Sequence, residues 1–260
     1  MDLGLAGKKA VVTGGSHGIG RSIVLALAAE GVDVAFCSRS QERLDATLTL
    51  LEEWPVNKIA LQADALSRSD INDFANSVLG CWGGADILIN NVGGGGRWGH
   101  EDVFETPRHT WDEVYQKNTG AAIDLILKFL PSMVENCWGR VISITSIYGV
   151  MGGGRPWFNI AKTAQTALMK NFSLNRQFVR KGITFNSIAP GGIDIPDTGW
   201  SAKRSSDPEG FDAMVEAQFP IGRMGKPEEV ADLALFLSST RSSLINGSSI
   251  VIDGAETPIF

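Results

Sequence analysis

A glycine-rich segment near the N-terminus has the residues needed to hold a phosphate group. Residues 13–20 read Thr-Gly-Gly-Ser-His-Gly-Ile-Gly and join a short β-branched run to an amphipathic one. Glycines let the backbone turn tightly and approach a pyrophosphate, and the N-terminus of the following helix offers unpaired N–H groups and a positive dipole. A glycine-rich turn alone is weak evidence, but its place between a strand and a helix favours a nucleotide-binding loop.

The end of the second predicted strand bears on which nucleotide such a loop would hold. A site for NAD commonly carries Asp or Glu there, which accepts hydrogen bonds from the ribose 2′-hydroxyl and repels a 2′-phosphate. This chain has Ser38 and Arg39 instead. A guanidinium matches phosphate geometry and Ser38 offers another donor, so the pair favours NADP(H), with NAD(H) as the alternative. His17 is expected to add partial positive charge, and Arg39 as an ordinary solvated charge at a helix start stays open.

The elements that must position these groups alternate along the chain. Strands are predicted at residues 9–13, 32–38, 59–63, 86–91, 140–145, 183–189 and 249–253, and helices at about 18–30, 41–54, 69–82, 110–131, 157–180 and 227–238. Apolar strands that are each followed by a helix indicate a parallel sheet covered on both faces. We therefore predict one α/β domain over residues 1–260, a Rossmann-like, doubly wound sheet of seven mostly parallel strands. Residues 191–222 lack clear periodicity and are expected to form a loop that covers the substrate.

Further motifs follow the predicted strands in order, and together they resemble the short-chain dehydrogenase/reductase family over nearly the whole chain. Besides the Thr-Gly-x-x-x-Gly-x-Gly spacing, they are Asp64, Asn90-Asn91-Val92-Gly93, Asn118, Ser146, Lys162 and Pro190-Gly191. The resemblance implies an NADP(H)-dependent oxidoreductase that interconverts a ketone and a secondary alcohol.

The resemblance also implies which residues bind the cofactor. They are Gly14, Ser16, His17, Gly18, Ile19, Gly20, Ser38, Arg39, Asp64, Ala65, Asn91, Gly93, Lys162, Pro190, Gly191 and Ile193. Asp64 would contact the adenine, and the backbone of Ile193 would contact the nicotinamide carboxamide. Many relatives carry Thr where this chain has Ile195, which puts one hydroxyl contact in doubt; Thr198 is a candidate substitute.

The catalytic group departs from the family pattern at one residue. Reduction of a ketone needs a proton donor and preorganised hydrogen-bond donors at the carbonyl oxygen. By resemblance, Ser146 bonds that oxygen, Lys162 binds the ribose, and Asn118 supports Lys162 through water. The family's proton donor is a Tyr four residues before the Lys, and this chain has Phe158 there. The pocket shape should survive while the general acid is absent.

Three explanations of Phe158 stay open. The residue could be an engineered change that leaves Asn118, Ser146 and Lys162 in place. Another group could donate the proton, with Tyr148 nearest in the sequence and His100 and His109 more remote. The chain could instead be a redox-silent NADP-binding module.

The predicted substrate pocket is aromatic. Its residues are Trp98, Ser146, Tyr148, Met151, Phe158 and Trp200, with Trp157 as either a wall or a core residue. Only Arg97 and Arg155 offer nearby positive charge. This composition favours a moderately hydrophobic ketone or secondary alcohol, of cyclic or aromatic type.

Composition excludes several other functions. The chain has 260 residues, 43% of them hydrophobic, and a net charge of −6 without a basic cluster, which argues against nucleic-acid binding. Its longest apolar stretch, residues 121–130, is interrupted by charges and is too short to span a membrane. The three cysteines, 37, 81 and 137, form no CxxC pair and are expected to be buried, and the three histidines lack metal-ligand spacing. We expect no metal.

Two expectations concern the setting of the protein. The first residues lack a secretory signal, so a cytoplasmic location is the default. Relatives in the family are usually tetramers, and the resemblance implies a homotetramer that associates through residues 110–131, 157–180 and the C-terminal strand with its preceding helix. The apolar stripe Ala121, Ala122, Leu125, Ile126 and Phe129 supports this weakly, because it could equally belong to the core.

Overall fold

One sheet of seven parallel strands organises the structure, a computed structural model that describes residues 2–259. The strands are β1 (Lys9–Thr13), β2 (Asp33–Ser38), β3 (Lys58–Gln62), β4 (Ile87–Asn90), β5 (Gly139–Ile144), β6 (Ile183–Pro190) and β7 (Ser249–Ile252). Their order across the sheet is β3-β2-β1-β4-β5-β6-β7, and every neighbouring pair is parallel. The predicted doubly wound fold is confirmed, and each strand end lies within one residue of its predicted position.

Helices connect the strands and cover both faces of the sheet. They are α1 (Gly18–Ala29), α2 (Gln41–Leu51), α3 (Arg68–Trp82), α4 (Arg108–Tyr115), α5 (Ala121–Glu135), α6 (Pro156–Ser173), α7 (Arg176–Val179), α8 (Gly199–Ser206), α9 (Pro208–Gln218) and α10 (Pro227–Ser238). Side-chain caps fix several starts: Ser40 accepts from the backbone N–H of Arg43, and Ser67 from that of Asp70.

Each face of the sheet carries its own apolar layer. Successive strand residues point to opposite faces, so Val12 packs with α1, α2 and α10, whereas its neighbour Val11 packs with α3, α5 and α6. Because both faces are covered, the inner strands are apolar nearly throughout. This explains why the strands were readable from the sequence.

The helix predicted at residues 110–131 is interrupted. A π-helical turn, Gln116–Gly120, separates α4 from α5. The Asn118 amide donates to the carbonyls of Val114 (2.7 Å) and Gly94 (2.8 Å), so its side chain ties the turn to the loop after β4. π-helical turns are frequent at functional sites, and this one holds a predicted site residue.

Residues 191–222 are not the loop that we expected. They contain α8 and α9, with Ser201 accepting from the backbone N–H of Thr198 (2.9 Å) and Asp207 accepting from that of Gly210 (3.0 Å). These helices are short, with eight and eleven residues, and α8 is rich in serine and charge, so neither carries a long apolar stripe. Their hydrophobic side chains form a small separate cluster around Phe211, Phe219 and Met224.

Two further expectations about burial are settled. Cys37 is buried as predicted, but Cys81 and Cys137 are exposed. Cys81 lies in the last turn of α3, on its solvent side, and Cys137 lies in the turn before β5. The stripe Ala121, Ala122, Leu125, Ile126 and Phe129 is buried within the chain, so it is core and supports no association. Within residues 2–259, none of the helices has both the length and the apolar character needed to cross a membrane.

Candidate active site

A large cavity lies at the carboxyl ends of the strands. Its volume is about 1230 Å³, and its wall is formed by the segments that follow β1, β2, β3, β4, β5 and β6. The neighbours β1 and β4 mark the point where the strand order reverses, which is where ligands bind in open α/β sheets. All sixteen predicted cofactor residues contribute to the wall.

The glycine loop is packed so closely that side chains would not fit. A Cβ on Gly20 would lie 2.2 Å from the Gly14 carbonyl oxygen and 2.4 Å from the Asn91 amide nitrogen. Asn91 in turn donates to the Thr13 carbonyl (2.8 Å), and the Thr13 hydroxyl accepts from the backbone N–H of Asn91 (3.0 Å). The loops after β1 and β4 therefore form one rigid floor with its backbone open to the cavity.

His17 does not supply the positive charge that we expected. It is the residue before the first turn of α1, and burial lowers its pKa below the usual 6.5, with Arg43 and Arg21 lowering it further. The imidazole is therefore mainly neutral near pH 7. The positive charge at this end of the cavity comes from Arg39 before α2, Arg43 in α2 and Lys117 in the π-turn.

Three cations surround the end of β2. Arg39 lines the cavity and has no ion-pair partner among residues 2–259, whereas Arg43 lies 3.8 Å from the Asp197 carboxylate. Lys117 is half-buried over the Trp98 ring (4.6 Å), and burial, followed by the charge of Arg39, lowers its pKa. Neither Arg43 nor Lys117 was predicted from the sequence. The signal for Arg43 was its position in the first turn of α2, four residues after Arg39, which precedes that helix.

Lys162 is buried beneath the cavity floor. Its ammonium donates to the Ile144 carbonyl (2.9 Å) and to the Gln165 side-chain oxygen (3.0 Å). Burial lowers its pKa to about 7, with the charge of Lys117 as the second cause. A Cβ on Gly93 would lie 2.7 Å from the ammonium nitrogen and 2.8 Å from the Asn118 side-chain oxygen. Gly93 thus leaves the space in which Lys162 and Asn118 converge.

Asn118 supports the site from behind. It is 1% exposed and lies outside the cavity wall, and its side-chain oxygen accepts from the backbone N–H of Gly94 (3.1 Å). It has no direct hydrogen bond to Lys162. Its geometry fits a supporting position and not a direct contact with a ligand.

Ser146, Tyr148 and Phe158 form the wall next to Lys162. The Ser146 hydroxyl oxygen accepts from the backbone N–H of Tyr148 (3.2 Å), which leaves its hydrogen available to a ligand. The Phe158 ring centre lies 5.9 Å from the Lys162 ammonium and meets the Tyr148 ring edge-on at 6.4 Å between centres. The structure thus brings Ser146 and Lys162 together as predicted, with a hydrocarbon ring at residue 158.

Several predicted pocket residues lie elsewhere. Met151 is not part of the cavity wall, because Asn159 ties its carbonyl to α6 (2.8 Å) and the wall continues instead at Gly154 and Arg155. Trp157 is 1% exposed and belongs to the core, with its indole N–H donating to the Gly95 carbonyl (3.3 Å).

The remaining candidates divide between the wall and the surface. The predicted residues Trp98 and Trp200 do line the cavity, as do the cations Arg97 and Arg155. His100 and His109 are exposed and lie outside the wall, so neither is placed to donate a proton there. Within residues 2–259 no group of three His, Cys, Asp or Glu side chains is arranged to hold a metal.

The segment before α8 closes one side of the cavity. Ile195 contacts the floor, because a Cβ on Gly18 would lie 3.0 Å from its Cγ2 atom. The Thr198 hydroxyl donates to the Ile195 carbonyl (2.7 Å), so its proton is used within the segment. The Arg97 guanidinium stacks on Trp200 (5.1 Å) and joins the segment to the loop after β4.

Comparisons with known proteins agree with this geometry. Residues 14–255 match the adh_short_C2 family model, described as enoyl-(acyl carrier protein) reductase. The chain is 32% identical over 249 residues to 3-oxoacyl-[acyl-carrier-protein] reductase of Staphylococcus epidermidis, covering 95% of this chain and 98% of that protein.

Solved structures with similar folds include two with a nucleotide. L-sorbose reductase from Gluconobacter frateurii, complexed with NADPH and L-sorbose, is 30% identical with a TM-score of 0.91 and full coverage of both chains. A 3-oxoacyl (acyl-carrier-protein) reductase from Agrobacterium tumefaciens with NADP bound is 28% identical with a TM-score of 0.88, covering 97% of this chain and 95% of that one.

Proposed function

The chain belongs to the short-chain dehydrogenase/reductase family, and from this premise we propose that it is an NADP(H)-dependent oxidoreductase acting on a ketone or secondary alcohol, slowed by Phe158. The observation that carries the proposal is the Phe158 ring beside Lys162 in a wall that is otherwise equipped for reduction. The test is turnover of this chain beside its Phe158→Tyr variant.

The cavity fits an NADP(H) molecule. Gly14, Gly20 and Gly93 give a dinucleotide close access to the backbone, since side chains there would collide with the floor. Arg39 has no carboxylate partner within residues 2–259 and is free to pair with a 2′-phosphate. The two nucleotide complexes described above contain NADPH and NADP. When bound, the nicotinamide supplies or accepts the hydride.

The side chains of the site bind the substrate oxygen and the ribose. Ser146 donates its hydroxyl proton in a hydrogen bond to the substrate oxygen and stabilises the negative charge that develops there. Lys162 binds the ribose from the floor, and Asn118 keeps the loop at Gly94 in place beneath it. Phe158 gives the substrate an apolar wall but delivers no proton. A positioned proton donor contributes about 10² to 10⁴ in rate, which is the deficit we propose.

The pKa of Lys162, about 7, leads to a pH-dependent affinity. Below this value the ammonium is charged and donates to the ribose, and above it the amine is mainly neutral. We expect the Kd for NADP⁺ to rise as pH increases from 6.5 to 9, by up to about tenfold per pH unit. Calorimetric titration measures this dependence. The Lys162→Met variant should show a flat profile, and a flat profile in the unchanged protein would contradict the assignment.

The homotetramer is also part of the proposal. Leu127 of α5 and Ile160 of α6 are 60% and 52% exposed, and Leu174 after α6 is 68% exposed. Large apolar side chains on these helices favour burial against another copy. Light scattering is expected to give a mass four times the 27.9 kDa of one chain. A mass near 27.9 kDa would refute association.

A further inference from the structure

A row of buried polar side chains crosses four neighbouring strands. Asn90 of β4 pairs in register with Ser143 of β5, Ser143 with Ser187 of β6, and Ser187 with Ser249 of β7. All four side chains have buried polar atoms without a hydrogen-bond partner among the described residues. Buried polar groups are nearly always paired, so four successive exceptions in one row require a common explanation.

The row faces α6. Leu88, Val141 and Phe185 belong to the apolar layer that contains α6, and the row residues Asn90, Ser143 and Ser187 lie two positions further along the same strands. Side chains two residues apart on a strand point to the same face of the sheet, so the row lies on the face that α6 covers.

Gln165 lies over this row. Helix α6 returns from β5 to β6 and therefore runs opposite to the strands, and Met169 lies over the layer of Val141 and Phe185. Four helix residues advance about 6 Å and two strand residues about 6.6 Å, which brings Gln165 to the level of Ser143 and Ser187. The Gln165 side chain is fully buried, and its amide nitrogen also has no partner.

The side chains of the row make no direct hydrogen bonds, and their spacing suits bridging water. Strands in a sheet lie about 4.8 Å apart, and the side chains of this row make no hydrogen bond to one another. One water molecule with two bonds of about 2.8 Å spans such a gap. Proteins of ordinary size hold several internal waters, each on two to four polar partners that would otherwise be unsatisfied.

We propose that Asn90, Ser143, Ser187, Ser249 and Gln165 hold a file of internal water molecules, which solvates Lys162 from inside the fold. Gln165 is the connection, because its oxygen accepts from the Lys162 ammonium (3.0 Å) while its buried amide nitrogen has no partner among the described residues. The file ends at β7, the edge strand, where Ser249 is only partly buried. The inference does not depend on which nucleotide or substrate the cavity takes.

The first test is a crystal structure of the unchanged protein at a resolution of about 1.5 Å. Water molecules within 3.2 Å of the Ser143 and Ser187 hydroxyls, and of the Gln165 amide nitrogen, are expected. A dry row at that resolution overturns the proposal.

Thermal unfolding of Ser143→Ala and Ser187→Ala gives a second test, in which the sign of the change in Tm distinguishes a hydrated row from a dry one. If water bonds these hydroxyls, each variant loses a satisfied hydrogen bond and its Tm falls by about 2–4 °C. If the row is dry, each variant removes an unsatisfied group and its Tm rises or stays the same. Ser238→Ala is the matched control, because this serine is equally buried and its hydroxyl donates to the Ala234 carbonyl (2.8 Å).

The connection to Lys162 has its own readout. In the free protein, its ammonium is faced by Lys117 from the π-turn, the Ile144 carbonyl from β5, and Gln165 from its own helix. NMR titration of labelled lysines is expected to place the midpoint of Lys162 lower in Ser143→Ala than in the unchanged protein, because the charged form loses solvation. An unchanged midpoint would show that the file does not reach Lys162 and would overturn that part of the proposal.

Discussion

Replacing Phe158 with tyrosine is expected to raise the rate of carbonyl reduction by about 10² to 10⁴-fold. The new hydroxyl would extend from a ring that already lines the cavity with its centre 5.9 Å from the Lys162 ammonium. A nearby ammonium favours the ionised phenol and so lowers its pKa, which brings a tyrosine nearer to the pKa that suits proton transfer. The change adds one oxygen and leaves Ser146 and Asn118 untouched.

The measurement is loss of NADPH absorbance over a panel of cyclic and aromatic ketones, with the matching alcohols and NADP⁺ for the reverse direction. Phe104→Tyr is the matched control, because it adds the same hydroxyl to a ring that is 99% exposed. This control should leave the rate unchanged. Full activity of the unchanged chain would refute the proposed deficit, and its loss on Tyr148→Phe would then identify Tyr148 as the donor. If neither the unchanged chain nor Phe158→Tyr turns over, and both bind NADPH tightly, the result would favour a redox-silent binding module.

The fold was predictable because the strands carry their own signal. Inner strands such as β5, buried along its whole length, appear as apolar runs at regular intervals. The segment over residues 191–222 carried no such signal, since α8 and α9 bury only Phe211 between them and pack as a small satellite of the core. Length and periodicity identify elements that face a large core and fail for short helices that pack around a small cluster.

The candidate site was predictable in its motifs and not in its surroundings. The motif residues meet at one cavity because parallel strands bring their carboxyl ends to one edge. Lys117 could not be assigned, because a regular helix through residues 110–131 does not show which way the π-turn rotates its side chain. The prediction that Met151 lines the pocket was wrong for a related reason. The hydrogen bond from Asn159 to the Met151 carbonyl fixes a turn that no pattern in the sequence indicates. The row of Asn90, Ser143 and Ser187 was hidden inside strands that appear apolar.

Arg39 and Arg43 differ in their carboxylate partners, and we expect this difference to decide which of them binds a 2′-phosphate. Arg39 has no carboxylate partner among residues 2–259, so a 2′-phosphate would meet a guanidinium that needs no rearrangement. Arg43 lies 3.8 Å from Asp197 and is partly neutralised by it. We therefore expect most of the phosphate affinity to come from Arg39, although both side chains line the same cavity.

The Arg39→Ala variant is expected to raise the Kd for NADPH by about 10- to 100-fold, since hydrogen bonds to charged groups contribute about 1.5–3 kcal/mol. The Kd for NADH should stay within about twofold, because NADH has no 2′-phosphate for the guanidinium to hold. Calorimetric titrations of both nucleotides measure the ratio, with Arg43→Ala as the matched control and a smaller loss expected there. Added salt should weaken the binding of NADPH more than the binding of NADH in the unchanged protein, because salt screens an exposed charge pair. In Arg39→Ala this difference between the two nucleotides should disappear. An unchanged NADPH affinity in Arg39→Ala would show that Arg39 is an ordinary solvated charge. Lys117 and Arg43 would then have to account for the selectivity.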